Sequence, residues 1–214
     1  MAVKSGNGYA RKQRNSGSRK RKSVVLLATE GKNQTETQYF KDMAKSLYRV
    51  VRFVPGNYTD PVNIASMMKQ YYTEWELTPE LGDRAYCLID ADCDSQKDKQ
   101  ILKANSIAKE VGFEVAVSAP CFEIWLLCHF SHATKQYSSN SEVISDLTKK
   151  LPGYTKSTSG IFAKTKDRIE IAVNNAKLLE KACIDAGYCI HTAFFSPSTE
   201  VYKVVEELKR QKNH

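Results

Sequence analysis

The chain has 214 residues, 42% of them hydrophobic, and a formal net charge of +8. That length fits one domain with an appendage, and the apolar share suffices for a substantial core. No apolar run approaches the roughly 18 to 20 residues of a membrane span, and residues 1 to 22 lack the apolar centre of a signal peptide, so the expectation is a cytoplasmic protein with no membrane partner.

The charge is unevenly placed. Residues 1 to 22 carry eight basic side chains, among them Arg19, Lys20, Arg21 and Lys22, and no acid. The rest of the chain has 24 basic and 24 acidic residues and is formally neutral. An arm rich in Gly, Ser, Asn and cations cannot pack a core, so it reads as a disordered segment that contacts phosphate backbones by counterion release. Six cysteines occur without a C-x-x-C pair, which argues against a zinc ribbon or a disulfide framework and for reduced thiols.

From Ser23 the elements follow in order. "SVVLLAT" is a continuous aliphatic run, the pattern of a strand buried on both faces. "EGKNQTE" supplies a turn, and residues 35 to 48 place Tyr39, Phe40, Met43 and Leu47 on one helical face. "YRVVRFV" predicts a second strand. Residues 57 to 60 form a loop, and Pro61 opens a helix that runs to Trp75. "RAYCLID" is a third strand, 95 to 111 a helix, "FEVAVS" a fourth strand, and "APCFEIWLLCHF" turns into a strongly apolar helix.

Beyond Phe130 no strand is expected. Helices are predicted over 141 to 151, over 161 to 187 with a break near Lys164 to Asp167, and over 199 to 212, separated by the loop "PGYTKSTSG". The fold class is therefore α/β, an open and mainly parallel sheet flanked by helices, with a helical C-terminal extension. The expected organisation is an arm over 1–22, a catalytic α/β domain over 23–130 and the extension over 131–214.

The chemistry concentrates in "CLIDADCD". Along an extended strand alternate residues share a side, so Asp90, Asp92 and Asp94 could line one face. Ligands of open α/β sheets bind outside the carboxyl ends of strands, where Glu30 also lies after the first run. Neighbouring carboxylates repel unless a cation neutralises them. Oxygen donors without His or Cys suit Mg²⁺ or Mn²⁺ rather than zinc, and such ions serve phosphoryl chemistry. Helix capping by Asp94 or Ser95 is the plainer alternative for the third aspartate. An EF-hand fails, because Ser95 and Ile101 stand where Gly and Glu are required. The phosphate-loop and dinucleotide fingerprints are absent. A dehalogenase-like phosphatase fits weakly, with Asp94 at the fifth motif position, and a nucleotide-sugar transferase stays open without a sugar-site feature.

A Glu after the first strand with D-x-D after a later one resembles the Toprim catalytic domain. "LLATEGKNQTETQYF", "CLIDADCD", "APCFEIWLLCHF" and the closing "TEVYKVVEEL" together resemble the RloB-like family, from Ser23 to the C-terminus. The resemblance implies a Toprim-like, Mg²⁺-dependent nuclease acting in antiphage defence and abortive infection, with a companion ATPase of the RloA-like kind. Carried over by position, it assigns catalytic roles to Glu30, Asp90 and Asp92, and places the P-C-F-E signature on residues 120 to 123, adding Glu123 as a ligand or a residue behind the ligands. Ala91 stands where the family often has Arg, and Lys32 is the nearest substitute. Lys164 and Lys166 add a basic patch beside Tyr154 and Phe162, a pairing that could grip a strand. Glu36 reads as a solvated first-turn residue. His129 and His132, three apart at a helix end, could pair on a metal, but the favoured reading is ordinary core or surface histidines. Two rival classes stay open, a non-catalytic nucleic-acid-binding or sensor module and a metal-dependent phosphoryl or nucleotidyl transferase. DNA or RNA as substrate, and an oligomeric state, are left open as well.

Overall fold

The computed structural model of the protein describes residues 22–31, 34–47, 49–132 and 134–210. The basic residues Arg19, Lys20, Arg21 and Lys32 lie outside them. A five-stranded sheet has the order β2-β1-β3-β4-β5. Strands β1 (Val24–Thr29), β2 (Val50–Phe53), β3 (Arg84–Asp90) and β4 (Glu114–Ala119) are mutually parallel. Strand β5 (Ser198–Thr199) runs antiparallel to β4. The mainly parallel α/β architecture matches the sequence reading. The short β5 departs from it, because two polar residues carry no hydrophobic period that could announce a strand.

Both faces of the sheet are covered, which explains why β1 and β3 read as unbroken apolar runs. Val25, Leu27, Tyr86 and Leu88 point into one core, and Leu26, Ala28, Cys87 and Ile89 into the other. Helices α2 (Pro61–Glu74) and α3 (Ser95–Val111) close the second face. Helix α1 (Gln34–Ser46) and α4 (Glu123–Cys128) close the first, with α5 (Asn140–Lys150), α6 (Ile161–Thr165), α7 (Ile169–Asp185) and α8 (Val201–Lys209) layered around them. Every residue of α4 is buried, with Trp125 at 0% exposure in its centre. Such a helix cannot be amphipathic, so its sequence shows no polar stripe.

Boundaries follow local chemistry. Asp60 caps α2 by accepting from the Asn63 amide at 2.9 Å, ahead of Pro61 in the first turn. Asp94 caps α3, and α3 ends at Gly112 in the left-handed conformation. The expected break in the long C-terminal helical stretch is a 3₁₀ turn over Lys166–Arg168, which separates α6 from α7. Cys87, Cys121, Cys128 and Cys183 are buried free thiols, and Cys93 and Cys189 are exposed ones. No helix among the described residues is long and apolar enough to cross a membrane.

Candidate active site at the carboxyl edge of the sheet

Adjacent placement of β1 and β3 brings their carboxyl ends together, so Glu30 and Asp90 meet across 60 residues of sequence. The Asp90 amide donates to Glu30 Oε2 at 3.2 Å. The Asp90 carboxylate turns the other way, towards the turn after β4, where Oδ1 accepts from the Phe122 amide at 2.9 Å. That turn is built from Pro120, Cys121 and Phe122, and it delivers Glu123 into the interior as the first residue of α4. Glu123 is 3% exposed, and its Oε1 accepts from the Tyr154 hydroxyl at 2.9 Å.

The alternation expected of three aspartates stops after the first. The strand ends at Asp90, and Asp92 (φ 56°) and Cys93 (φ 54°) both take the left-handed conformation. Two successive non-glycine residues in that region cost of order 1–3 kcal/mol each, and they reverse the chain within one turn. As a result Asp92 bends back over the site, while Asp94 is carried outward. Asp94 Oδ1 accepts from the Gln96 amide at 2.9 Å, so the structure uses it as a helix cap and not as a member of the cluster.

Between Glu30 and Asp92 stands a lysine that the sequence did not single out. Lys97 Nζ donates at 2.6 Å to Glu30 Oε1 and at 2.6 Å to Asp92 Oδ2. It projects from the first turn of α3 and is 9% exposed. Asp92 Oδ1 accepts from Asn140 Nδ2 at 2.7 Å, so the start of α5 also reaches the site. A lysine in a first helical turn ordinarily reads as a solvated charge, and only the β1–β3 adjacency reveals its partners.

The electrostatics follow from burial and from the excess of like charge. Burial drives the Asp90 carboxyl well above the usual range, and Glu123, Glu30 and Asp92 push it further, with Lys156 opposing. Burial also raises Glu30, and the Lys97 hydrogen bond pulls it partly back. Burial alone would lower Lys97, but its bonds to Asp92 and Glu30 more than reverse this and keep it protonated. Lys156, in the loop before α6, is a second cation facing Glu123 and Asp90. It supplies positive charge near the place where Ala91 leaves none. Four carboxylates thus face two ammonium groups. Among the described residues no three His, Cys, Asp or Glu side chains form a ready-made metal cage, since Lys97 occupies the gap between Glu30 and Asp92.

The remaining candidates fall elsewhere. Glu36 is 3% exposed, which corrects its reading as a solvated residue. The 154–156 loop covers the start of α1, where Thr35 Oγ1 donates to the Lys156 carbonyl. His129 is wholly buried, with Nε2 3.3 Å from the Tyr39 hydroxyl and Nδ1 3.0 Å from the Trp125 carbonyl, whereas His132 is exposed, so the two form no pair. Lys164 and Lys166 are exposed, and Lys166 lines a small cavity with Met43, Ser46 and Leu47, at the end of α1 opposite the carboxylates. Lys22 is exposed just before β1, at the amino edge of the sheet.

No curated protein and no solved structure matches this chain. A family model does match, that of the RloB-like protein, over residues 25–208. It spans every element from β1 to α8 and takes in Glu30, Asp90, Asp92, Lys97 and Glu123 together, so the chain belongs to the RloB-like family.

Proposed function

We propose that the protein is a metal-dependent nuclease that hydrolyses phosphodiester bonds at the carboxyl edge of β1 and β3. The observation that carries this reading is the burial of Asp90 against Glu30 and Glu123, with its carboxyl driven far above its ordinary range. A fold gains nothing in stability from such an arrangement, and perturbed carboxyls in a cleft mark functional sites. The donor set fits Mg²⁺ or Mn²⁺, because it is all hard oxygen and a cation would relieve the burial and mutual repulsion that raise the Asp90 carboxyl. Glu30, Asp90 and Asp92 would hold the ion once the Lys97 ammonium moved out of the gap it fills between Glu30 and Asp92. Once bound, it would polarise the phosphate and favour hydroxide at neutral pH.

The chain's own groups supply the rest. Glu30, raised by burial, is a stronger base than an ordinary carboxylate and suits proton abstraction from water. Lys97 fixes the Glu30 and Asp92 rotamers. Lys156 offers its charge to a phosphate oxygen near Asp90. Glu123, anchored by Tyr154, acts behind Asp90 and adds to the burial that raises its carboxyl. Membership of the RloB-like family supports placing this activity in antiphage defence with a companion ATPase.

The test is to incubate wild type and the double variant Asp90→Ala/Asp92→Ala with plasmid, single-stranded DNA, tRNA and total RNA, with Mg²⁺ or Mn²⁺. Metal-dependent cleavage abolished in the variant is expected. Binding without cleavage, even with the companion ATPase present, would leave the non-catalytic binding module as the reading.

A further inference from the structure

We propose that the cleft beside Glu30, between the start of α1 and the end of β2, binds one or two nucleotides of a single-stranded nucleic acid. The proposal rests on the nuclease reading only for its direction, in that the bound nucleotide would flank the phosphate being cut. The cleft holds about 630 Å³ and opens where β1 passes into Gly31, one residue beyond Glu30. Cavities of roughly 300–1,000 Å³ enclose a small ligand, which here means a nucleotide or two and not a turn of duplex.

Its lining differs in kind from the carboxylate site. Among the described residues no acid lines it. One wall is α1, with Thr37 and Lys41, and the opposite wall is the β2 end, with Phe53 and Gly56. The rim carries Ser157 and its neighbouring hydroxyls, in the same loop as Lys156. The cleft therefore continues the carboxylate site along the sheet edge, in the direction from β1 to β2.

The half-buried Phe53 ring offers a flat apolar surface, and Lys41 Nζ rests 5.5 Å from its centroid. Lys41 is exposed, so this cation–π contact is weak and readily exchanged for a phosphate. A cation, an aromatic ring and hydroxyl groups without competing acids are the components that hold a single strand through its backbone and bases. A paired base is stacked inside the duplex and cannot reach a ring set in a recess.

The far wall is rigid. The Tyr58 hydroxyl donates to the Pro55 carbonyl at 2.7 Å, and the Gly31 amide donates to the Tyr58 carbonyl at 2.6 Å. Gly56 has φ +127°, and a Cβ there would stand 2.3 Å from the Tyr58 hydroxyl. Only glycine lets the β2 end close over that ring.

The test uses the full chain in EDTA, so that binding is read apart from cleavage. A single-stranded oligonucleotide containing 4-thiothymidine is photo-crosslinked, and the joined peptides are mapped by mass spectrometry. Crosslinks at Phe53 or between residues 37 and 56 are expected, strong with the single strand and weak with its duplex. Lys41→Ala should weaken binding several-fold and lower the slope of log K against log salt by about 0.7, the share of one phosphate contact on a single strand. Gly56→Ala should lose the same crosslinks while the circular dichroism spectrum stays that of wild type. Crosslinks confined to the basic arm or to the α5–α8 region would overturn the proposal, as would an unchanged salt slope in Lys41→Ala. Loss of the crosslink to an equal concentration of free mononucleotide would also overturn it, by making this a site for free nucleotides. Phe53 crosslinks in a protein that cleaves nothing would keep the cleft and sink the nuclease. Cleavage without those crosslinks would do the reverse.

Discussion

Lys97 and Glu30 lie 67 residues apart in sequence, on α3 and at the end of β1, and their side chains meet at 2.6 Å. The same ammonium reaches Asp92 at 2.6 Å, so one cation from a first helical turn ties the ends of two strands together. Lys97 therefore holds the site in shape and limits its negative charge.

Replacing this lysine by a neutral residue of similar length tests that role. Lys97→Met leaves two carboxylates facing each other in a partly dry site. Loss of about 2–3 kcal/mol is expected, below the roughly 3–5 kcal/mol of a fully buried pair, because the Asp92 side chain is 39% exposed. Urea unfolding at neutral pH measures it. If Glu30 and Asp92 bind a divalent ion, millimolar Mg²⁺ should restore more stability to Lys97→Met than it adds to wild type.

Asp90→Asn should behave in the opposite sense. Asp90 is buried and repelled by Glu123, Glu30 and Asp92, while its Oδ1 takes one backbone hydrogen bond that an amide oxygen accepts equally well. In metal-free buffer the variant is expected to melt at or above the wild-type temperature while losing all metal-dependent cleavage. Mg²⁺ should raise the melting temperature of wild type and leave Asp90→Asn unmoved. A marked loss of stability in the variant without metal would show that the native charge is structural.

His129 sets an acid limit on the fold. Burial lowers its pKa from 6.5 to about 4, against Tyr39 and the Trp125 carbonyl. The folded state thus disfavours the proton that the unfolded chain takes up. The neutral ring contributes its full stability above pH 6.5, and that share is lost as pH falls from 6.5 towards 4. The span corresponds to about 3 kcal/mol at 1.36 kcal/mol per pKa unit. Stability measured by urea unfolding from pH 7.5 to 4.5 should fall with this slope in wild type and be flatter in His129→Gln.

The strands were legible because parallel strands buried on both faces must be apolar throughout, as "VVLLA" and "YCLI" are. Glu30 and Asp90 were legible as charges at the ends of such runs. Their surroundings were not. Lys97, Asn140, Tyr154 and Lys156 are polar residues in a helix start or a loop, and nothing local separates them from solvated ones. Their partners lie 31 or more residues away, apart from Asp92, five residues before Lys97. Asp94 stands open in the sequence between a third place in the row and a helix cap, and it takes the cap. The row followed from strand periodicity, which the left-handed Asp92 and Cys93 interrupt. Glu36 was misread because its burial is a matter of tertiary packing, which leaves no trace in the sequence of its own helix.

The basic arm makes the last prediction. Residues 1 to 22 carry eight cations and no acid, whereas the rest of the chain is formally neutral. Non-specific affinity for nucleic acid should therefore reside largely in the arm. Each phosphate neutralised contributes about −0.9 to the slope of log K against log salt on duplex DNA and about −0.7 on single strands. Removing residues 1 to 22 should flatten that slope by several units on duplex DNA and nearly abolish duplex binding at physiological salt. Single-strand binding should fall less, because Lys41 and Phe53 remain. Fluorescence anisotropy across a salt series separates the two. An unchanged slope on duplex DNA after removal of the arm would show that its charges face something other than phosphate.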